Sequence, residues 1–271
     1  MRKRSLNLIN KAVITSAVCF FTIAQVRAET IKVAVIDTGI SEELMDAPFL
    51  CKTGHIDFTN TSITDNIGHG SHISGIIDQY IKNMPFEKGY SKADLYKTKV
   101  DYCQIIIKFF ETGIKNTGSN MNKAIKWAID LKVNVINISG GGSDFDEEEK
   151  NLIEEALNNG IKIVVAAGNS GCELNKECTV KTFNSNKTIP LATFYPAMYD
   201  PRLYVVGNLD NDMKRAPSSN YGSIVNNWEV GTNVKSFYKD GSVVQVTGTS
   251  QSTAKITGKL VRQMIYSSKP R

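Results

Sequence analysis

Several short runs of this chain are apolar on successive residues rather than on alternate ones, and this limits its fold most. "IKVAVID" (31–37), "ADLYKTKV" (93–100), "VNVINIS" (133–139), "IKIVVAA" (161–167) and "LYVVGNL" (203–209) are, as a group, rich in Val and Ile and bounded by Gly, Asn or Asp. A strand with one face in water alternates apolar and polar residues. A strand apolar on both faces belongs inside a sheet that is covered on both sides. Between these runs lie patterns of helical period. "HISGIIDQYIKNM" (72–84) and "NMNKAIKWAIDLK" (120–132) each carry an apolar face, the second through Met121, Ala124, Ile125, Ala128 and Ile129. "DEEEKNLIEEALNNG" (146–160) opens with acids, which suit a helix N-terminus, and ends at Gly160. Strands alternating with helices predict an α/β fold of three layers, with a mainly parallel central sheet flanked by helices.

In such sheets ligands gather beyond the carboxyl ends of the strands. Asp37-Thr38-Gly39 follows the first run, Ser139-Gly140-Gly141-Gly142 another, and Gly168-Asn169-Ser170-Gly171 the next. All are polar and turn-forming, and all are expected on one rim. With 271 residues, 41% hydrophobic and 22% charged, the chain suffices for one large domain or two small ones.

The first 28 residues stand apart. "MRKRSLNLINK" is basic without an acid, "AVITSAVCFFTIA" is a short apolar run, and "VRA" offers small residues before Glu29. This layout predicts a secretory signal peptide cleaved after Ala28, with a membrane anchor as the alternative. The segment holds five of the 32 Lys and Arg and none of the 27 acids, so residues 29–271 carry 27 charges of each sign. The basicity belongs to the targeting segment and gives no reason to expect nucleic acid as a partner. Secretion or passage to a periplasm is expected, without a stable membrane anchor after processing; oligomeric state stays open. Four cysteines remain, and an even number in an exported chain suggests disulfides. Cys172 and Cys178 close a short loop and make the better pair, Cys51 with Cys103 following by elimination; four reduced thiols are the alternative.

"GTSQSTAKITG" (248–258) places Ser250 at the mouth of a small-residue helix. A serine there is ordinarily an N-cap. It becomes a nucleophile only when a base takes its proton and a third group orients the base. Asp37, ending an apolar strand, is a candidate orienter, although a strand-end Asp also makes turns. "GHGSHISG" (68–75) holds two of the three histidines. His69, flanked by glycines at a helix start, is the candidate base, and that position is expected to resist protonation. His72 is expected to pack or hydrogen-bond below the site, and His55 carries no motif. A metal bound by His69, His72, Asp37 and His55 is an alternative, without the spacing of the familiar helical zinc signature.

The segments "VAVIDTGI", "GHGSHISGI", "VINISGGG", "VAAGNSG" and "GTSQSTAKITG" occur in the order Asp37, His69, Ser250, and together resemble the motifs of the subtilisin-like serine proteases, or subtilases. "ADLYKTKV" and "YPAMYDPRLYVVGNLD" also resemble family stretches, so the likeness runs from about residue 31 to about residue 258. It implies a serine endopeptidase working on an extended polypeptide through an acyl-enzyme. By it Asp37 orients, His69 is general base and later acid, and Ser250 attacks. Asn169 matches the family's side-chain oxyanion donor, though alone it reads as a turn Asn. Ser139, Gly140 and Gly141 match the edge that pairs with substrate backbone. Gly140 stands where the family usually has a larger residue, which implies an altered primary specificity pocket. "NTGSN" (116–120) is aligned to the opposite edge, and Tyr195-Pro196 to a cis bond.

The departures carry expectations of their own. Gln251-Ser252-Thr253-Ala254 replaces the usual Met-Ala-Ser-Pro, and Ser71 replaces Thr. Only Glu29 and Thr30 separate the predicted cleavage point from the first strand, and 21 residues follow Ser250, so the peptidase domain (29–271) is expected to be short at both ends, without the family's usual pro-region. Calcium loops cannot be traced, and no cofactor or metal is claimed. The competing reading is a degenerate family member that binds a peptide or partner without cutting it.

Overall fold

The computed structural model describes residues 30–85, 88–89, 101–115, 117–181 and 186–267. The expected signal peptide and the expected strand at 93–100 lie outside them. Seven strands form one sheet: β1 (Ile31–Asp37), β2 (Ile56–Asp57), β3 (Tyr102–Lys108), β4 (Val135–Ile138), β5 (Lys162–Ala166), β8 (Tyr204–Leu209) and β9 (Asn227–Val230). Their order is β2-β3-β1-β4-β5-β8-β9, and every pairing is parallel. Two antiparallel hairpins complete the strands, β6 (Cys178–Lys181) with β7 (Asn186–Ile189) and β10 (Val234–Phe237) with β11 (Val243–Val246). The helices are α1 (His69–Ile81), α2 (Thr117–Asp130), α3 (Glu147–Asn158) and α4 (Thr249–Ser267). Among the described residues, no helix is long and apolar enough to cross a membrane.

The three layers follow from successive side chains pointing to opposite faces of a strand. Val33 and Val35 pack with Ile73, Ile76 and Ile77 of α1 and with Ala254 and Val261 of α4. Ala34 and Ile36 pack on the opposite face with Ile125 and Ala128 of α2 and Ile153 of α3. Both faces are dry, which is why the strands read as continuous apolar runs. Helix starts differ slightly from the sequence expectation: α1 begins at His69 and α2 at Thr117. Residues 117–120 are therefore helical rather than an extended edge; Asn116 lies outside the described residues.

β3 was not anticipated. It runs beside β1 with Ile31 opposite Tyr102 and Asp37 opposite Lys108. Its sequence, YCQIIIK, places Gln104 and Lys108 in the sheet, and both are fully buried. Lys108 is buried with its charge bonded, Nζ donating to Glu111 (2.8 Å) and the Thr64 carbonyl (2.7 Å), whereas Gln104 is bonded at one end only, Nε2 donating to the Ser74 carbonyl (3.0 Å) and Oε1 having no partner. Both expected disulfides are present, Cys51–Cys103 tying the loop after β1 to β3 and Cys172–Cys178 closing the loop after β5. The chain leaves β1 for β3 on one side and returns to β4 on the other. This reversal leaves a crevice at the carboxyl ends of β1 and β4.

Candidate active site

β1 delivers Asp37 to that crevice almost fully buried, where its Oδ1 lies 2.7 Å from Nδ1 of His69. The same oxygen accepts the N–H of Thr38 (2.8 Å). His69 is the first residue of α1, and the turn before it needs glycine. Gly68 has φ +95°, and a Cβ there would fall 2.3 Å from the Tyr238 ring. Gly70 lies so close to the β1 turn that a Cβ would sit 2.3 Å from the Gly39 carbonyl.

Asp65 fixes this junction and was not singled out from the sequence. It is 1% exposed. Its Oδ1 accepts from Thr38 Oγ1 (2.8 Å) and from the N–H groups of Ile67 (3.1 Å) and Gly68 (2.7 Å). Its Oδ2 accepts from the N–H and hydroxyl of Ser71 (2.8 and 2.6 Å). It serves the orphan donors at the start of α1, as an N-cap would, from outside the helix.

The expectation that the helix start keeps His69 neutral is overturned. Burial opposes charging of the ring, but the Asp37 carboxylate, its hydrogen bond and the more distant Asp65 charge outweigh it, and the His69 pKa is raised. His72 behaves as expected. It is buried beneath the site with Nε2 3.4 Å from the Val244 carbonyl, and burial holds its pKa down to about 4. His55 is held elsewhere: Nε2 meets the Cys51 carbonyl (2.7 Å) and Nδ1 accepts from the Ile106 N–H (3.0 Å). With both nitrogens committed to backbone, His55 is no partner for a metal beside His69. Among the described residues no three His, Cys, Asp or Glu side chains gather as a metal site.

α4 brings Ser250 to the same rim from below. Its Oγ donates to the Ser139 carbonyl (2.8 Å), while Ser139 Oγ donates to the Ser250 carbonyl (3.2 Å). The hydroxyl makes no hydrogen bond to His69 in this rotamer, so the acid–imidazole pair and the alcohol are held as two separate bonded units. A second unanticipated group positions the serine. Asn137 of β4 is fully buried, donates to Ser139 Oγ (3.0 Å) and accepts from Thr257 of α4 (2.8 Å). An Asn inside the apolar run "VINIS" is the signal that could have found it, since a buried amide must be bonded.

Asn169 follows β5 in a turn held by Asn220. Asn220 Oδ1 accepts from Ser170 and Cys172 N–H (3.1 Å each), and its Nδ2 donates to the Ala167 carbonyl (2.8 Å). Asn169 Oδ1 accepts from the Thr249 N–H (2.9 Å) and hydroxyl (3.1 Å). An amide N–H can only donate, so the oxygen must face Thr249 and the Nδ2 faces away from it.

Beside this cluster runs a groove of about 700 Å³, lined by His69, Ser139–Gly142, Phe109 and the start of α2. Gly142 is already paired, antiparallel, with Tyr195, whose bond to Pro196 is cis. Gly141 is sterically required, because a Cβ would sit 2.2 Å from the Tyr195 carbonyl. Gly140 is not, for a Cβ there would meet Phe109 at an ordinary 3.6 Å. Its missing side chain is therefore open groove.

A model of the subtilase family matches residues 28–266 of this chain. The thermostable alkaline protease of Halalkalibacterium halodurans is 29% identical over 84% of the chain, which spans 55% of that protein's length. Subtilisin DY of Bacillus licheniformis is 28% identical over 86% of the chain and 76% of its own. Among solved structures, a cold-adapted subtilisin-like serine proteinase superposes with a TM-score of 0.63 at 21% identity, over 87% of this chain and 76% of its own. MycP1 without its N-terminal propeptide gives 0.62 at 24%, over 87% and 78%.

Proposed function

Because the chain belongs to the subtilase family, we propose that it is an exported serine endopeptidase whose Ser250, His69 and Asp37 form the catalytic triad. The observation that carries this is the 2.7 Å Asp37–His69 bond at the carboxyl end of β1, with Ser250 in the first turn of α4 bonded to the neighbouring Ser139. With Nδ1 held by Asp37, the ring presents Nε2 as the base. Turning the Ser250 hydroxyl from the Ser139 carbonyl toward His69 completes the array. The proton then passes to His69 as Oγ attacks the peptide carbonyl. His69⁺ protonates the leaving amine, and water repeats the sequence to release the acyl group.

Two donors serve the developing oxyanion, the Ser250 N–H at the start of α4 and Asn169 Nδ2. Ser139, Gly140 and Gly141 offer backbone to an extended substrate. Ser139's carbonyl then accepts from the substrate in place of Ser250. No cofactor enters these steps. The two disulfides fit an oxidising compartment and so support export.

Treating the purified chain with a fluorophosphonate probe tests this. Labelling and phenylmethylsulfonyl fluoride-sensitive casein hydrolysis are expected, both lost in Ser250→Ala. A folded wild-type chain that neither labels nor cuts overturns the proposal and leaves a peptide-binding module.

A further inference from the structure

Four carboxylates border the groove, from Asp37, Asp144, Asp146 and Glu149, and among the described residues no Lys or Arg does. Asp37 is committed to His69. Glu149 is the unusual member. It is 9% exposed, in the first turn of α3. Its Oε2 accepts from Tyr199 (2.9 Å), while Oε1 has no hydrogen-bond donor and is not sealed from solvent. Glu149 is one of the residues that line the groove. A carboxylate oxygen with no protein donor, at a residue otherwise nearly buried, is open to a cation arriving from the groove.

The walls suit the rest of such a ligand. Phe145 packs edge-on to Tyr195 (5.6 Å) and Tyr199 (5.7 Å), and is itself 54% exposed. Phe145 and Tyr195, with Met121 and Phe109, line the apolar part of the groove, widened where Gly140 has no side chain. An aliphatic stem ending in a cation lies well along such a surface.

Resting on the protease reading above, we propose that Glu149 is a specificity-determining residue, which draws a Lys or Arg side chain of the peptide substrate into the groove beside Gly140. Geometry carries this, and titration supports it. Burial first, and the Asp146 charge second, raise the Glu149 pKa to about 7, against the Tyr199 hydrogen bond that lowers it. The groups facing Glu149 are Asp146, ahead of its own helix, and Tyr199; no cation among the described residues offsets them. An incoming Lys or Arg meets a carboxylate above that pH and a neutral acid below it, so the preference for a basic side chain rises from pH 6 to pH 8.

The test uses the Ser250→Ala chain, so that binding is read without turnover. Fluorescein-labelled alanine peptides carry one Arg, norleucine or Glu, stepped through each position, and binding is followed by anisotropy. At one position Arg should bind roughly ten- to a hundred-fold tighter than norleucine, and Glu weaker than both. Glu149→Gln, which keeps an acceptor for Tyr199, should remove the Arg preference, and Glu149→Asp should keep part of it. Arg and norleucine binding alike at every position overturns the proposal, as does a preference that survives Glu149→Gln. Should Glu149→Gln not fold, the unaltered residue decides: an Arg preference equal at pH 6 and pH 8 also overturns it. Loss of fluorophosphonate labelling in the wild-type chain would sink the protease reading while leaving this binding preference measurable.

Discussion

Asn169 uses the two ends of one carboxamide differently. Its oxygen ties the turn after β5 to the first residue of α4 through Thr249, and its nitrogen is left as the proposed oxyanion donor. Replacing it by alanine should lower kcat on a chromogenic peptide roughly hundred- to thousand-fold with KM little changed. A melting curve on the same sample separates this from loss of the Thr249 tie. A loss below tenfold would remove Asn169 from the oxyanion site. The residues proposed for the site, Asp37, His69, Ser250 and Asn169, could each be singled out in the sequence, because each sits in a short motif whose glycines and small side chains serve a local backbone purpose. The rotamer of Ser250 was not. The hydroxyl's partner, Ser139, is 111 residues away, and only folding puts that carbonyl in reach.

At the scale of elements, the start of α1 decides how His69, the proposed base, titrates. Asp65 lies outside the helix, yet holds its first donors and adds to the field that raises the His69 pKa. A raised pKa keeps the ring protonated to higher pH, so the neutral ring that could act as base forms at higher pH than in an unperturbed histidine. Activity should therefore climb as pH rises through that raised value. Asp65→Asn removes one negative charge, which lowers the His69 pKa and moves the acid limb of the kcat/KM profile to lower pH. The same change faces an amide NH2 toward N–H donors and should cost roughly 2 kcal/mol or more of stability, read by urea unfolding. An acid limb that stays in place shows that Asp65 acts on structure alone.

This junction also shows why β3 escaped a linear reading. Gln104 and Lys108 interrupt its apolar run, and what makes them buriable comes from Ser74, Thr64 and Glu111, on other segments. α2 tells a similar story. The stretch 117–120 looks like a loop by composition, and becomes helix because it leads directly into the apolar face carried by Met121, Ile125 and Ala128.

For the whole molecule, the two cross-links differ in reach. Cys51–Cys103 spans 52 residues and Cys172–Cys178 six. In the chain-entropy account the longer link stabilises by about 4 kcal/mol and the shorter by about 2. Denaturant unfolding of Cys51→Ser/Cys103→Ser should accordingly show the larger loss. The second pair should cost less stability but disturb the turn of Asn169, since the Cys172 N–H is bonded to Asn220. If the short loop proves the costlier, the stabilisation resides in native contacts rather than in the unfolded chain.

By itself the sequence determined the α/β class, four of the seven strands of the main sheet, the helices between them, and which polar turns end those strands. These follow from side-chain periodicity and backbone permissiveness, which act within a few residues and need no knowledge of what packs outside. The tertiary structure alone decided that β3 lies at 102–108, that Asp65 caps α1 from outside, and that Glu149 lines the groove. Each of these depends on which distant segment covers a polar group, and that is fixed only when the chain crosses from one side of β1 to the other.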